Sequence, residues 1–253
     1  MVQRYFFELS YAGTAFFGWQ VQPREISVQE TIERALTKLN SNKPVKVVGC
    51  GRTDTGVHAS NFYLHVDFPT IENENKFLFK LNRMLPEAVA ISSIVKVNEN
   101  AHARFDALER TYQYFISNTK NPFNSAFSYF VSTPLDIALM NQACVYLIGE
   151  QDFTSLAKMH TDVKTNICDV RFAQWKKKED GSLFFEIKAN RFLRNMVRAT
   201  VGTLLEVGQQ KIKPEEVKNI LNAKSRSRAK ASAPAHGLFL SEVKYDWSNL
   251  LKK

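Results

Sequence analysis

Gly49-Cys50-Gly51-Arg52-Thr53-Asp54-Thr55-Gly56-Val57-His58-Ala59 is the stretch of this 253-residue chain best suited to chemistry. The chain has only 10 glycines, and three of them fall here. Glycine gathers where the backbone must bend tightly or be approached closely. Asp54 sits in the middle of the loop, with Arg52 two residues before it. A guanidinium beside a carboxylate favours the charged form, which suits a nucleophile or base rather than a general acid. The competing reading is an Asx turn in which Asp54 ties down its own loop. Residue types and spacing by themselves lean towards the turn. Neither G-K-[ST] nor G-x-G-x-x-G occurs in this stretch, which excludes a P-loop and a dinucleotide turn.

Several elements must hold that loop. Lys46 to Gly49 reads as a short strand entering it, and Phe62 to Phe68 as a strand leaving it. Arg4 to Tyr11 reads as an earlier strand. Ser27 to Asn40 reads as an amphipathic helix, with Ser27 and Glu30 as a capping box. Further along, the patterns predict a helix over 75–85 stopped by Pro86, a β-rich run over 89–97 and a strand over 110–117. A helix is expected over 134–148, capped by Thr133 and ended by Gly149. A hairpin is expected over 170–175 and 183–189, followed by a long helix over 190–207 closed by Gly208. A short helix over 214–223 and a last strand over 238–245 complete the chain. Strands joined without parallel crossovers indicate an α+β fold, mostly antiparallel sheet with helices packed on it. A composition shift around residues 98 to 110 divides the chain into two similar-sized halves. Residues 1–106 carry the Asp54 loop, and residues 107–253 carry the Tyr112 strand and the Arg198 helix.

The chain has 34 basic and 25 acidic residues, a net charge of +9 and a pI near 9.4. So basic a surface favours a polyanionic partner, with nucleic acid first, although generic basicity would look the same. Lys224, Arg226, Arg228 and Lys230 lie in one low-complexity segment that reads as a mobile loop able to follow a phosphate backbone, although charge alone favours a merely solvated connection. On a helix, Arg191, Arg194 and Arg198 share a narrow arc, and the default reading is a solvated basic face. Gly202 and Leu205 lie on that same face, which indicates that something packs there. The three cysteines lie far apart, with no C-x-x-C, and the five histidines lack metal spacing, so neither a disulfide framework nor a metal site is expected. The apolar stretches are too short for a membrane span, and the N-terminus lacks the pattern of a secretion signal. The expected location is cytoplasmic.

Gly51-Arg52-Thr53-Asp54-Thr55-Gly56-Val57-His58-Ala59 closely resembles the G-R-T-D-A-G-V-H-A motif of the tRNA pseudouridine synthase A family. The resemblance extends along the chain in order. Tyr11, Gly13 and Phe16-Phe17-Gly18-Trp19-Gln20 resemble the family's early segment, and Asn82-Arg83-Met84-Leu85-Pro86 its N-x-x-L-P. Ala103-Arg104-Phe105-Asp106-Ala107 with Arg110, Tyr112 and Tyr114 resembles its A-R-F-x-A-x-x-R-x-Y-x-Y. Phe192, Met196-Val197-Arg198, Val201-Gly202 and Val207-Gly208 resemble its C-terminal helix, and Ala233-Pro234-Ala235-His236-Gly237-Leu238 its closing A-P-x-x-G-L. Thr55 departs from the family's alanine, and Ser60-Asn61-Phe62-Tyr63 from its x-G-Q-V.

The resemblance implies a pseudouridine synthase fold whose halves flank a central basic RNA-binding cleft. It implies isomerisation of uridine to pseudouridine in the tRNA anticodon arm, at positions 38, 39 and 40, by a homodimer without metal or cofactor. Asp54 is then the catalytic nucleophile. A base within a stem must leave the stack before a carboxylate reaches it, and Arg52 is placed to fill the vacated space. Tyr112 would stack on the extruded uracil, although Tyr114 shares its face by period two and spacing cannot choose between them. By resemblance Arg198 pairs with Asp54, leaving Arg191 and Arg194 as phosphate contacts at best and His58 as a structural residue of the loop. Two rival readings stand beside this one: a non-catalytic RNA-binding or tRNA chaperone protein on the same fold, and another aspartate-nucleophile enzyme such as a glycosidase. A glycosidase needs a second carboxylate, and none lies near Asp54 in sequence.

Overall fold

The apolar run at the N-terminus forms strand β1, Val2–Tyr11, whose Tyr5, Phe6, Phe7, Leu9 and Tyr11 are all buried. In this computed structural model, which describes residues 1–158 and 164–251, β1 is covered on both faces. That explains why its sequence runs apolar rather than alternating. It pairs antiparallel with β3, His58–Pro69, on one side and with β4, Val89–Lys96, on the other. The short β2, Val47–Gly49, pairs with β3.

Helix α1, Val28–Leu39, starts where Ser27 Oγ accepts from the Glu30 amide at 3.2 Å, and it buries Val28, Ile32, Ala35 and Leu36. Its buried Glu33 accepts from the Val47 amide (3.1 Å), Lys46 Nζ (3.0 Å) and Gln29 Nε2 (3.0 Å), which fastens the helix to β2. Helix α2, Glu74–Met84, is capped by Asn73 and held to β4 by Asn82. The Asn82 amide group bonds both the N–H and the C=O of Ile91 at 2.8 Å.

The described residues form two compact units. The first is Met1–Leu108 together with the segment from Leu240 onwards, and the second is Glu109–Phe239. The sequence division at 106/107 assigned everything after it to one half, whereas the segment from Leu240 lies with the first unit.

In the second unit, β5, Ala107–Ser117, pairs antiparallel with β9, Leu183–Ala189, from Arg110↔Ala189 to Ile116↔Leu183. Strand β8, Ile167–Lys177, forms the expected hairpin with β9, and β7, Gly149–Asp152, pairs with β8. The two-residue β6, Tyr129–Phe130, lies parallel to β5. Both β6 and β7 are too short to leave a period in the sequence. Helix α3, Ile137–Cys144, is locked to β8 as α2 is to β4: the Asn141 side chain bonds the Trp175 N–H (2.8 Å) and C=O (3.1 Å). Helix α4, Met196–Gly208, is the most enclosed helix, and α5, Glu216–Asn222, follows it. Strand β10, Leu238–Tyr245, lies beside β3 in the first unit, ahead of the short α6, Trp247–Leu250. The fold is α+β with mostly antiparallel sheet. Among the described residues, no helix is long and apolar enough to cross a membrane.

Two helix starts differ from the sequence expectation. Helix α3 begins three residues after Pro134, because Asp136 rather than Thr133 caps it, accepting from the Leu139 amide at 3.0 Å. Helix α4 begins at Met196 rather than Asn190. Asn190 extends the sheet pairing instead, its N–H donating to Asp169 O (3.1 Å) and its Oδ1 accepting from the Asp169 N–H (2.9 Å). Asn195 then turns the chain in the left-handed region, at φ 66°. Arg191 and Arg194 therefore precede the helix, and the shared arc assigned to Arg191, Arg194 and Arg198 does not exist.

Buried His65 on β3 accepts the Ala103 N–H at Nδ1 (3.0 Å) and meets the His102 ring edge at 4.6 Å. Burial, the Arg4 guanidinium and His102 push its pKa down to about 4. The unfolded chain therefore binds a proton near pH 6.5 that the folded chain refuses. Stability should be full above about pH 6.5 and fall as pH drops from there towards 4, by at most about 3 kcal/mol. Urea unfolding of wild type and His65→Gln at pH 7.5 and pH 5 checks this, because the variant should lose less stability over that interval.

Candidate active site

The loop carrying Asp54 is built by two sequence segments far apart in the chain. Its floor is the run from Tyr11 to Trp19. The Tyr11 hydroxyl lies 2.9 Å from Oγ1 of buried Thr53, and the Trp19 N–H donates to Thr53 O at 3.2 Å. The Gly56 N–H reaches Phe16 O (3.4 Å), and the Gly13 N–H donates to Nδ1 of fully buried His58 at 3.0 Å. His58 is thus a structural acceptor. Within the loop, the Val57 N–H donates to Asp54 O (3.1 Å), and Gly56 supplies the positive φ of 77° that the turn requires.

The packing is so close that side chains are excluded on the floor. A Cβ on Gly13 would collide with the Val57 carbonyl. Gly18, at φ +84°, would place one 2.5 Å from Thr53 O. The indole of Trp19 lies under Gly49, where a Cβ would come within 2.5 Å of Cε2, and stacks on Phe62 at 4.2 Å. Gly51 differs, because a Cβ there would meet nothing within 4 Å. The carbonyls of Gly18 and Trp19 accept the Val28 and Gln29 N–H groups, so the same floor satisfies the first amides of α1. Asp54 itself is half-buried and Arg52 exposed. The departure at Ser60-Asn61-Phe62-Tyr63 serves the fold. Asn61 bonds Glu8 (2.7 Å) and the Val243 N–H (2.9 Å), while Tyr63 packs edge-on to Tyr245.

The second unit separates the two tyrosines that spacing could not. Tyr114 is fully buried, its hydroxyl donating to Pro234 O at 2.8 Å, and burial keeps that hydroxyl protonated well beyond the ordinary tyrosine range. The ring leaves no room for a Cβ on Gly237. Tyr112 is only half-buried and meets Phe192 edge-on at 5.1 Å. Of the two, only Tyr112 is partly exposed.

Arg198 stands in the first turn of α4, with Nε donating to Ala233 O at 2.8 Å. Arg191 is half-buried and Arg194 exposed, the Arg194 carbonyl accepting from the Lys158 N–H (2.9 Å). The basic segment is not the mobile loop expected from its composition. Its backbone lies against α4, with the Ala231 carbonyl occupying the space a Gly202 side chain would need. This is the neighbour that the small residue at 202 signalled. Arg226 turns inwards onto the segment's own backbone, Lys224 pairs with Asp152 (3.6 Å), and Arg228 pairs with Glu216 (3.7 Å). Lys230 is held through its backbone, its N–H reaching Thr203 Oγ1 at 3.4 Å. Arg226 thus serves the fold, which a basic run does not reveal. Among the described residues, no group of three or more His, Cys, Asp or Glu side chains could hold a metal ion.

The profile described as tRNA pseudouridine synthase matches residues 9–106 and 143–246, well over half of the sequence. The chain belongs to this family. Its members are isomerases that convert uridine to pseudouridine. Curated relatives named tRNA pseudouridine synthase A include one from Bacteroides fragilis, 47% identical over 248 residues, covering 96% of this chain and 97% of the relative. Another, from Parabacteroides distasonis, is 48% identical over 246 residues and covers 96% of each. A third, from Bacillus subtilis, is 39% identical over 241 residues, covering 94% and 97%.

Gly18→Ala should destabilise the chain by about 1–3 kcal/mol, because it imposes a positive φ on alanine and presses on the Thr53 carbonyl. It should also lower pseudouridine formation through displacement of the Asp54 backbone. Thermal unfolding and a tRNA modification assay on the same preparation check both effects.

Proposed function

We propose that this chain forms pseudouridine in the anticodon arm of tRNA, at positions 38, 39 and 40, with Asp54 as nucleophile. The observation that carries the reading is the interlock of residues 11–19 with the loop. It fixes the Asp54 backbone while leaving its side chain half-exposed. A carboxylate carried on a fixed backbone has fewer positions to search, which removes an entropic share of the barrier. In the isomerisation the bond from ribose C1′ to uracil N1 breaks and a bond from C1′ to C5 forms. N1 gains a proton and C5 loses one, so no oxidant or reductant is consumed. Asp54 stabilises the separated sugar or base between those events.

The half-buried Tyr112 supplies an aromatic face for the extruded uracil. Arg52, exposed on the same loop as Asp54, takes the space the base vacates. Arg198 serves the reaction as a cation, and Arg191, Arg194, Lys224, Arg228 and Lys230 contribute phosphate contacts. The net charge of +9 supports a polyanionic substrate. The chain works as a homodimer in the cytoplasm, where tRNA is found. The rival tRNA chaperone needs no oriented carboxylate, so Asp54 distinguishes the two.

Asp54→Asn should lower pseudouridine formation by at least about 1,000-fold while retaining tRNA binding. Single-nucleotide mapping of modified tRNA measures the first and filter binding the second. Equal absence of product from wild type and variant, with tRNA still bound, would favour the chaperone. Tyr112→Ala should lose about 1–3 kcal/mol of substrate interaction whereas Tyr112→Phe keeps it, which the KM of the two variants reads out. Affinity should fall steeply with added salt. Light scattering at working concentration should give twice the 28.9 kDa chain mass.

A further inference from the structure

We propose that Arg226 is a positioning residue for the reaction, acting on Arg198 through the strap of residues 229–233. This rests on the reading above in which Arg198 serves catalysis. The Arg226 guanidinium donates from Nη1 to Ala229 O (3.3 Å) and Lys230 O (3.2 Å), and from Nη2 to Ser232 Oγ (3.0 Å). One planar fork thus gathers three acceptors of a segment that lies outside any strand or helix. A lysine ammonium cannot reproduce that fork.

Ser232 Oγ also accepts from Asn195 Nδ2 at 2.8 Å. Asn195 holds φ 66°, an uncommon conformation for a residue with a side chain. It stands immediately before α4, so the strap is tied to the start of the helix that carries Arg198. The strap crosses Gly202 at Ala231, before Ser232, and reaches Arg198 directly just beyond it. The Ala233 N–H donates to Arg198 O (2.9 Å), and Ala233 O accepts from Arg198 Nε (2.8 Å). With Nε engaged by a strap carbonyl, a shift of the strap shifts the Arg198 guanidinium. Arg226 holds the strap together with Asn195 and Thr203.

A phosphate contact and a positioning residue leave different signatures. Loss of a phosphate contact weakens binding and reduces the salt slope, while the rate at saturation stays as it was. Loss of a positioning residue lowers the rate at saturation and leaves binding unchanged.

The test uses the full chain as wild type, Arg226→Gln, Arg226→Lys, Arg198→Lys and the double variant Arg226→Gln/Arg198→Lys. Single-turnover pseudouridine formation is measured at saturating enzyme, and tRNA binding across a series of salt concentrations. Arg226→Gln should lower the rate about 10- to 100-fold while the Kd stays within about twofold and the salt slope does not change. Arg226→Lys should not restore the rate. The double variant should be no slower than Arg198→Lys, since a residue acting through Arg198 has nothing left to act on. Hydrogen exchange at the Lys230 and Ala233 amides should speed up in Arg226→Gln while α4 stays protected.

Weaker binding with a reduced salt slope and an unchanged rate would overturn the proposal, as would additive losses in the double variant. If α4 itself loses protection, Gly202→Ala decides, because it displaces the strap without removing a charge. A lower rate at unchanged Kd then supports the proposal, and an unchanged rate overturns it. A wild type that forms no pseudouridine defeats the catalytic reading and the positioning role with it, and amide exchange still shows whether Arg226 holds the strap.

Discussion

The contact between the Tyr11–Trp19 run and the Thr53–His58 loop is the constraint on which the first unit depends. Backbone meets backbone there, at Gly13 against Val57 and at Gly18 against Thr53, with no side chain between. Approach this close is open only to glycine, and it gives the loop several hydrogen bonds. The consequences spread outward. Trp19 can lie under Gly49 and stack on Phe62, a pairing worth about 0.5–1.5 kcal/mol beyond its burial. The first amides of α1 find their acceptors at Gly18 and Trp19. A rigid floor of this kind lets a reactive side chain be fixed by its backbone and still remain accessible.

The second unit uses polar side chains for a similar purpose. Its strap has little regular structure, so the Ala229 and Lys230 carbonyls have no strand or helix ladder to join. Arg226 supplies their donor, so one of the most basic-looking residues in the sequence is spent on architecture. The paired clamps at Asn82–Ile91 and Asn141–Trp175 follow the same logic in the two units. In each, one amide satisfies both backbone groups of a strand residue that would otherwise be left open. A shared device in both units reveals a likeness that the sequence does not show as a repeat.

The sequence carried the main elements well where periodicity was strong. β10 coincides with its expected range of 238–245, and α1 and the β8–β9 hairpin lie within a few residues of theirs. It erred where a local hydrogen bond outweighed the pattern. Asp136 displaced Thr133 as a cap, and the pairing of Asn190 with Asp169 delayed α4 by six residues. That delay removed the proposed arginine face. Composition misled over residues 224–234, because a run of Lys, Arg, Ser and Ala looks solvated unless one knows that Gly202 leaves room for its backbone.

Residue identity alone determined that this chain has an α+β fold, a glycine-rich loop around Asp54, and an ordered set of motifs resembling one enzyme family. These are properties of local pattern and of motif order, and both survive in one dimension. Only the tertiary structure decided which of Tyr112 and Tyr114 stays partly exposed, why Gly13 and Gly18 must be glycine, and that Arg226 points inwards. Each of those depends on what lies opposite a residue in space. Those partners are distant in the chain: Thr53 lies opposite Gly18, Pro234 opposite Tyr114, and Ala231 opposite Gly202. Spacing along a strand or helix sets which way a side chain faces, but not which distant segment fills the space it faces.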